Sequence, residues 1–166
     1  MRKCLLGLIL PVAALVAVGC ASGSAGGGTG ASSYRKDLGT VTPRDFSYHT
    51  RRILERYHYE FEQEDSSASY QNFKTRWYQR YPLEDEIALG VVEIQTQLTV
   101  RARARGTGGA GGSADLRASE LIAENMARMS DSSAWVMTVI TPLFKEYIDE
   151  IAQELKTEFS TGMRVF

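Results

Sequence analysis

From Val92 to Ala104 the chain alternates without a break: Val92, Ile94, Thr96, Leu98, Val100, Ala102 and Ala104 point one way, and Glu93, Gln95, Gln97, Thr99, Arg101 and Arg103 the other. Period two over this length is a β-strand with one buried face. The polar, arginine-bearing side excludes a strand buried on both faces of a parallel sheet, so the expected setting is an antiparallel sheet. A long antiparallel strand exposes an edge that needs a partner or a cover. That need bears on residues 114 to 129, which follow the glycine-rich loop from Gly106 to Gly112. Ala118, Leu121, Ile122, Asn125, Met126 and Met129 recur there at helical spacing, and the composition suits a helix. A strand would instead match its neighbour in length and close a hairpin across the glycines. The edge argument favours the strand.

Thr42-Pro43-Arg44-Asp45 reads as a helix start, with Thr42 as N-cap, Pro43 at the first helical position and Asp45 near the positive end of the dipole. Phe46, Thr50, Ile53 and Tyr57 continue at helical spacing, and the helix is expected to end near Arg56. Thr141-Pro142 repeats the signal ahead of the apolar stripe Phe144, Ile148, Ile151, Leu155 and Phe159, which ends before Gly162. Between the helices, Tyr57, Tyr59 and Phe61 alternate with polar residues, and after the turn-like Asp65 to Ser69 the alternation resumes. Phe73, Thr75, Trp77 and Tyr81 then fall on one side, and Asn72, Lys74, Arg76, Tyr78 and Arg80 on the other. A hairpin with Glu60 opposite Lys74 and Phe61 opposite Phe73 satisfies both faces. The expected fold is α+β: N-terminal and C-terminal helices packed on one face of a three- or four-stranded antiparallel sheet.

The N-terminus has another character. Arg2 and Lys3 precede an apolar run from Cys4 to Val18 that ends in Gly19, Cys20, Ala21 and Ser22, the layout of an export signal. The run is shorter than the roughly 20 residues a membrane span needs. Ala17-Val18-Gly19-Cys20 resembles the lipobox of bacterial lipoproteins, with Ala17 where that family usually has Leu. The resemblance implies a signal peptide over residues 1–19, cleavage before Cys20 and acyl chains, palmitate among them, on that cysteine. More than one chain would hold the protein stably to a membrane. Ala17-Val18-Gly19 also satisfies an ordinary secretory cleavage site, and the cysteine at this place favours lipidation. Ala21 after the cysteine, rather than aspartate, resembles the class sorted to the outer membrane, with the domain facing the periplasm.

Residues 20–33 join that cysteine to the domain through Ala, Ser, Gly and Thr alone, a composition expected to behave as flexible linker, and residues 34–166 are long enough for one domain. With Cys4 removed and Cys20 acylated, the domain has no cysteine left for a disulfide. Of the 19 Lys and Arg residues, Arg2 and Lys3 leave with the signal, so 17 face 20 Asp and Glu, a balance that disfavours nucleic acid.

No motif carries chemistry. Gly106-Thr107-Gly108-Gly109-Ala110-Gly111 matches G-x-G-x-x-G in form, but the preceding strand is polar on one face and the chain is short for a βαβ unit, so a hairpin loop explains it and no cofactor is expected. His49 and His58, with Glu55, Glu60 and Glu62 nearby, fall on different elements and do not read as a metal site. The chain has no H-E-x-x-H, no G-x-S-x-G and no cysteine nucleophile, and no catalytic residue is nominated. Eleven of the sixteen aromatics lie between Tyr34 and Tyr81, mostly at inward positions that core packing explains. Tyr78 stands apart: it shares the outward face with Lys74, Arg76 and Arg80, to which the next strand adds Arg101 and Arg103. Such a face suits an anionic envelope ligand or an acidic partner, or a solvated surface neutralised by Glu60 and Glu62. The sequence therefore points to a non-enzymatic outer-membrane lipoprotein that acts as an accessory or interaction module with an envelope protein partner. The alternative is a binding module for an anionic ligand on that basic face.

Overall fold

The computed structural model describes residues 32–104 and 116–162. Cys20, the signal-like segment and the glycine loop Gly106 to Gly112 lie outside them. Among the described residues the order is β1 (Ser33–Val41), α1 (Pro43–Arg56), β2 (Phe61–Ser66), β3 (Tyr70–Thr75), β4 (Tyr78–Arg80), α2 (Glu84–Ala88), β5 (Val91–Ala104), β6 (Arg117–Met129), β7 (Trp135–Met137) and α3 (Pro142–Gly162). The class is α+β as expected, but the antiparallel sheet has seven strands and three helices accompany it. The strands lie in the order β1-β6-β5-β3-β2, with β4 also on β5 and β7 also on β6.

The two Thr-Pro helix starts behave as their chemistry requires. The Thr42 hydroxyl accepts the Asp45 N–H at 3.2 Å and donates to its carboxylate at 2.8 Å, and Pro43 opens α1. In α3 the Phe144 N–H donates to the Thr141 hydroxyl at 3.4 Å. The stripe Phe144, Ile148, Ile151, Leu155 and Phe159 is wholly buried, against Phe46, Ile53 and Leu54 of α1 and Leu98, Val100, Leu121 and Ala123 of the sheet. Residues 117–129 form β6, which pairs with β5 along its whole length, so the edge argument outweighs helical spacing there.

Three departures trace to single-residue irregularities. The expected linker ends one residue early, because Ser33 already belongs to β1, whose alternation is broken by a bulge between Asp37 and Gly39. Tyr57 to Glu60 are not strand: Tyr57 caps α1, His58 takes a left-handed φ of 65°, and Tyr59 drops into the core. The β2–β3 register is accordingly shifted from the expected one, with Phe61 opposite Thr75 and Glu64 opposite Phe73. Lastly, a bulge between Val91 and Glu93 turns Val92 out to solvent while Val91 is buried.

The departure with most consequence for the surface lies between β3 and β4. Lys74 pairs with Thr99 and Tyr78 with Thr96, so four steps on one side span three on the other. One extra residue inverts the alternation. The gap is closed by side chains, because the Leu98 N–H donates to the Thr75 hydroxyl at 2.9 Å and the Gln97 amide to the Thr75 carbonyl at 2.8 Å. Trp77, expected beside Phe73 in the core, is only half-buried, and Tyr81, also expected inward, is 94% exposed.

Candidate functional site

The basic face foreseen from the alternation is divided by that extra residue. Lys74, Arg101 and Arg103 stay on the side away from the helices, and Arg76 lies in the gap between β3 and β4. Tyr78 and Arg80 turn inward, where Tyr78 packs against Tyr59 with ring centroids 5.2 Å apart. The residues left outside are largely engaged. Arg101 donates to Glu120 on β6 at 2.8 Å, Arg103 lies over the Tyr70 ring at 5.6 Å, and Lys74 stands 4.0 Å from Glu62. Arg76 is exposed. Of the two carboxylates expected to neutralise the row, Glu62 does face Lys74, whereas Arg101 uses Glu120.

Arg80 instead anchors a buried polar group. Its guanidinium donates to both Glu86 oxygens at 2.6 and 2.7 Å, to the Thr96 hydroxyl at 3.0 Å and to the Tyr81 carbonyl at 3.1 Å. It also lies 4.7 Å from the centre of the Phe144 ring. Glu86 is 1% exposed and accepts the Leu83 N–H at 2.8 Å, which caps α2. Thr96 passes the chain on to Asn125 at 2.7 Å. One side of Arg80 borders the shallow depression beside Tyr81, and its hydrogen bonds and ring contact tie α2 to the sheet and to α3. Nearby, burial pushes the Tyr59 and Tyr147 hydroxyls above the usual tyrosine range, so both stay protonated at neutral pH.

The feature that alternation hid is apolar. Among the described residues, the large hydrophobic side chains left exposed are Tyr48, Tyr81, Ile87, Leu89, Val92, Val136, Met137 and Leu143. All but Tyr48 gather at one end of the sheet, where β5 starts and β6 finishes. Tyr81 and Val92 line one shallow depression with Pro82. Ile87 and Leu89 belong to α2 and the turn after it, where Gly90 takes a φ of 85° and its carbonyl accepts the Ser130 N–H at 3.0 Å. The Leu143 N–H donates to Asp85 at 2.9 Å, which brings the start of α3 alongside α2. Val136 and Met137 are on β7, paired with Ala127 and Met126 near the end of β6. A monomeric soluble surface scatters such residues singly, whereas a concentration at one pole marks a contact surface.

The histidines do not converge. His49 on α1 is 3.2 Å from Glu158 of α3, while His58 is exposed in the turn after α1. Among the described residues there is no group of three or more His, Cys, Asp or Glu side chains that could hold a metal, and no helix long and apolar enough to cross a membrane. In comparisons with known proteins, no family model and no curated sequence matches the chain. The functional reading therefore rests on this chain's own residues.

Proposed function

We propose that the protein is a lipid-anchored outer-membrane lipoprotein of the bacterial envelope, serving as a non-enzymatic accessory or interaction module whose domain faces the periplasm. The observation that carries the reading is the N-terminal pattern: Arg2 and Lys3, an apolar run too short to span a bilayer, and Ala17-Val18-Gly19-Cys20 at its end. The surface chemistry supports an interaction role, since the domain's distinctive feature is an exposed apolar pole and its polar cluster at Arg80 and Glu86 is committed to holding elements together. The alternative, an anionic ligand, would rely on Arg76, Arg101 and Arg103, with Arg35 beside the last two, because Tyr78 and Arg80 face the helices.

Mass spectrometry of the mature N-terminus tests the anchor directly. The expected species begins at Cys20 and carries diacylglycerol on its sulfur, and Cys20→Ser releases the protein from membranes or leaves it unprocessed. A mature chain with an unmodified Cys20 or beginning at Ala21 would overturn the reading.

A further inference from the structure

We propose that the apolar pole is seated on the lipid surface that holds the Cys20 acyl chains, so that Leu89, Ile87 and Val92 contact the bilayer and the domain stands on it in one orientation. The inference rests on the lipid-anchor reading and adds to it a contact face and a lipid class.

The direction of β1 is the first argument. Ser33 lies opposite Glu124 and Val41 opposite Arg117, so β1 runs away from the apolar pole and the chain reaches Ser33 from the side of that pole. Strand β6 serves as a ruler. From the level of Glu124 to Met129, where β6 ends beside Val91, is five residues, about 17 Å at 3.4 Å each. The opposite end at Arg117 is seven residues away, about 24 Å, and a tether directed there would have to double back. The residues from Cys20 to Ser32 span at most about 45 Å when fully extended. An anchor of that length reaches past the apolar pole without strain, so the pole can rest on the membrane. Weak apolar contact then suffices, because the tether supplies the effective concentration.

The chemistry of the pole is the second argument. Ile87, Leu89 and Val92 are aliphatic and more than half or about half exposed, at 58, 51 and 50%. Tyr81 beside them and the half-buried Trp135 on β7 have the amphipathic rings that favour the headgroup level. The charges select the surface. Helix α2 carries exposed Glu84 and half-buried Asp85 in its first turn, with Glu86 buried against Arg80, and no basic residue in its last. Such a helix is repelled by anionic headgroups, so the fitting surface is zwitterionic, phosphatidylethanolamine or phosphatidylcholine.

Depth-dependent fluorescence on the full-length, lipidated protein in phosphatidylethanolamine/phosphatidylcholine vesicles tests this. With Cys4 removed and Cys20 acylated, Leu89→Cys introduces a thiol for an environment-sensitive dye, and Arg44→Cys, exposed near the opposite end of the sheet, provides the reference. The expected result is several-fold stronger quenching by nitroxide lipids at position 89 than at 44, weakened when phosphatidylglycerol is added. Equal quenching at both positions in protein whose Cys20 is acylated overturns the seated pole and leaves the anchor reading intact. An unmodified Cys20 removes both. A dye at position 89 that is shielded from water but unaffected by nitroxide lipids overturns the lipid contact in favour of a protein covering the pole.

Discussion

Replacing Glu86 by alanine should be among the most damaging single changes in this domain away from its apolar core. The Arg80 side chain is 11% exposed and that of Glu86 is 1%, and the pair is bidentate. Removing the carboxylate leaves a guanidinium in the interior with two of its four hydrogen bonds, those to Thr96 and the Tyr81 carbonyl. Breaking a buried pair from one side typically costs about 3 to 5 kcal/mol. The Leu83 N–H loses its acceptor as well, which adds a cap of about 1 kcal/mol. Working against this, the Tyr81 side of Arg80 lies next to water, which can solvate part of the freed guanidinium. A net loss of about 3 kcal/mol is expected, a large share of the 5 to 15 kcal/mol that holds a domain of ordinary stability. Urea unfolding of residues 20–166 carrying Cys20→Ser, followed by tryptophan fluorescence, measures it. Exchanging both partners for apolar residues, Arg80→Met with Glu86→Leu, should recover most of the loss, because no charge is then stranded. A Glu86→Ala variant within about 1 kcal/mol of its parent, or a double variant that falls as far as the single, would refute the account of Arg80 as a desolvated anchor.

Two further outcomes follow from the surface pairs. Asp149 of α3 accepts hydrogen bonds from Lys36 at 2.8 Å and Tyr34 at 2.9 Å. Partial burial raises its pKa, but those two hydrogen bonds outweigh it and hold the carboxyl below the usual range. A depressed native pKa gives stability that is present above the unfolded value of about 3.9 and lost as pH falls through the native one. Asp149→Asn should therefore lower stability to urea at pH 7, by less than about 1 kcal/mol because Asp149 and Lys36 are both over 40% exposed, and the deficit should shrink as pH falls below the unfolded value. A deficit that grows on acidification would contradict this. On the other face, Arg76→Ser with Arg101→Ser should change stability by about 1 kcal/mol or less and leave any binding of polyphosphate, used as an anionic probe, unaltered. A folded double variant that loses a salt-sensitive polyphosphate interaction would instead identify that face as a ligand site.

Much of the architecture was legible because it depends on chemistry repeated over many residues. The Thr-Pro starts of α1 and α3, the apolar stripe from Phe144 to Phe159 and the alternation of β5 each involve several side chains that agree. What escaped depends on one residue at a time. The extra residue between Lys74 and Tyr78 leaves no local mark, yet it turns Tyr78 and Arg80, two of the six residues of the expected basic face, from the open side to the helix side. Val92 and Tyr81 were assigned inward by the same extrapolated alternation and are exposed for the same kind of reason. The short α2 was the clearest missed signal: Glu84, Asp85 and Glu86 after Pro82-Leu83 place acidic residues in a first helical turn, as the dipole favours. β1 escaped because the bulge before Gly39 interrupts a pattern that has few apolar residues to begin with.

The shared edge of β6 has a consequence for the order in which the chain can assemble. β1 fills that edge from Arg117 to Glu124 and β7 continues it from Met126 to Arg128, so the first strand depends on one that follows far along the chain. Ser33 and its partner Glu124 are separated by 91 positions, and contacts of such separation form late because the intervening chain must first be closed into a loop. β1 therefore has no sheet partner until most of the polypeptide is available. A chain that emerges N-terminus first can pair its earliest strand only after β6 has arrived, which delays closure of the sheet until late in synthesis.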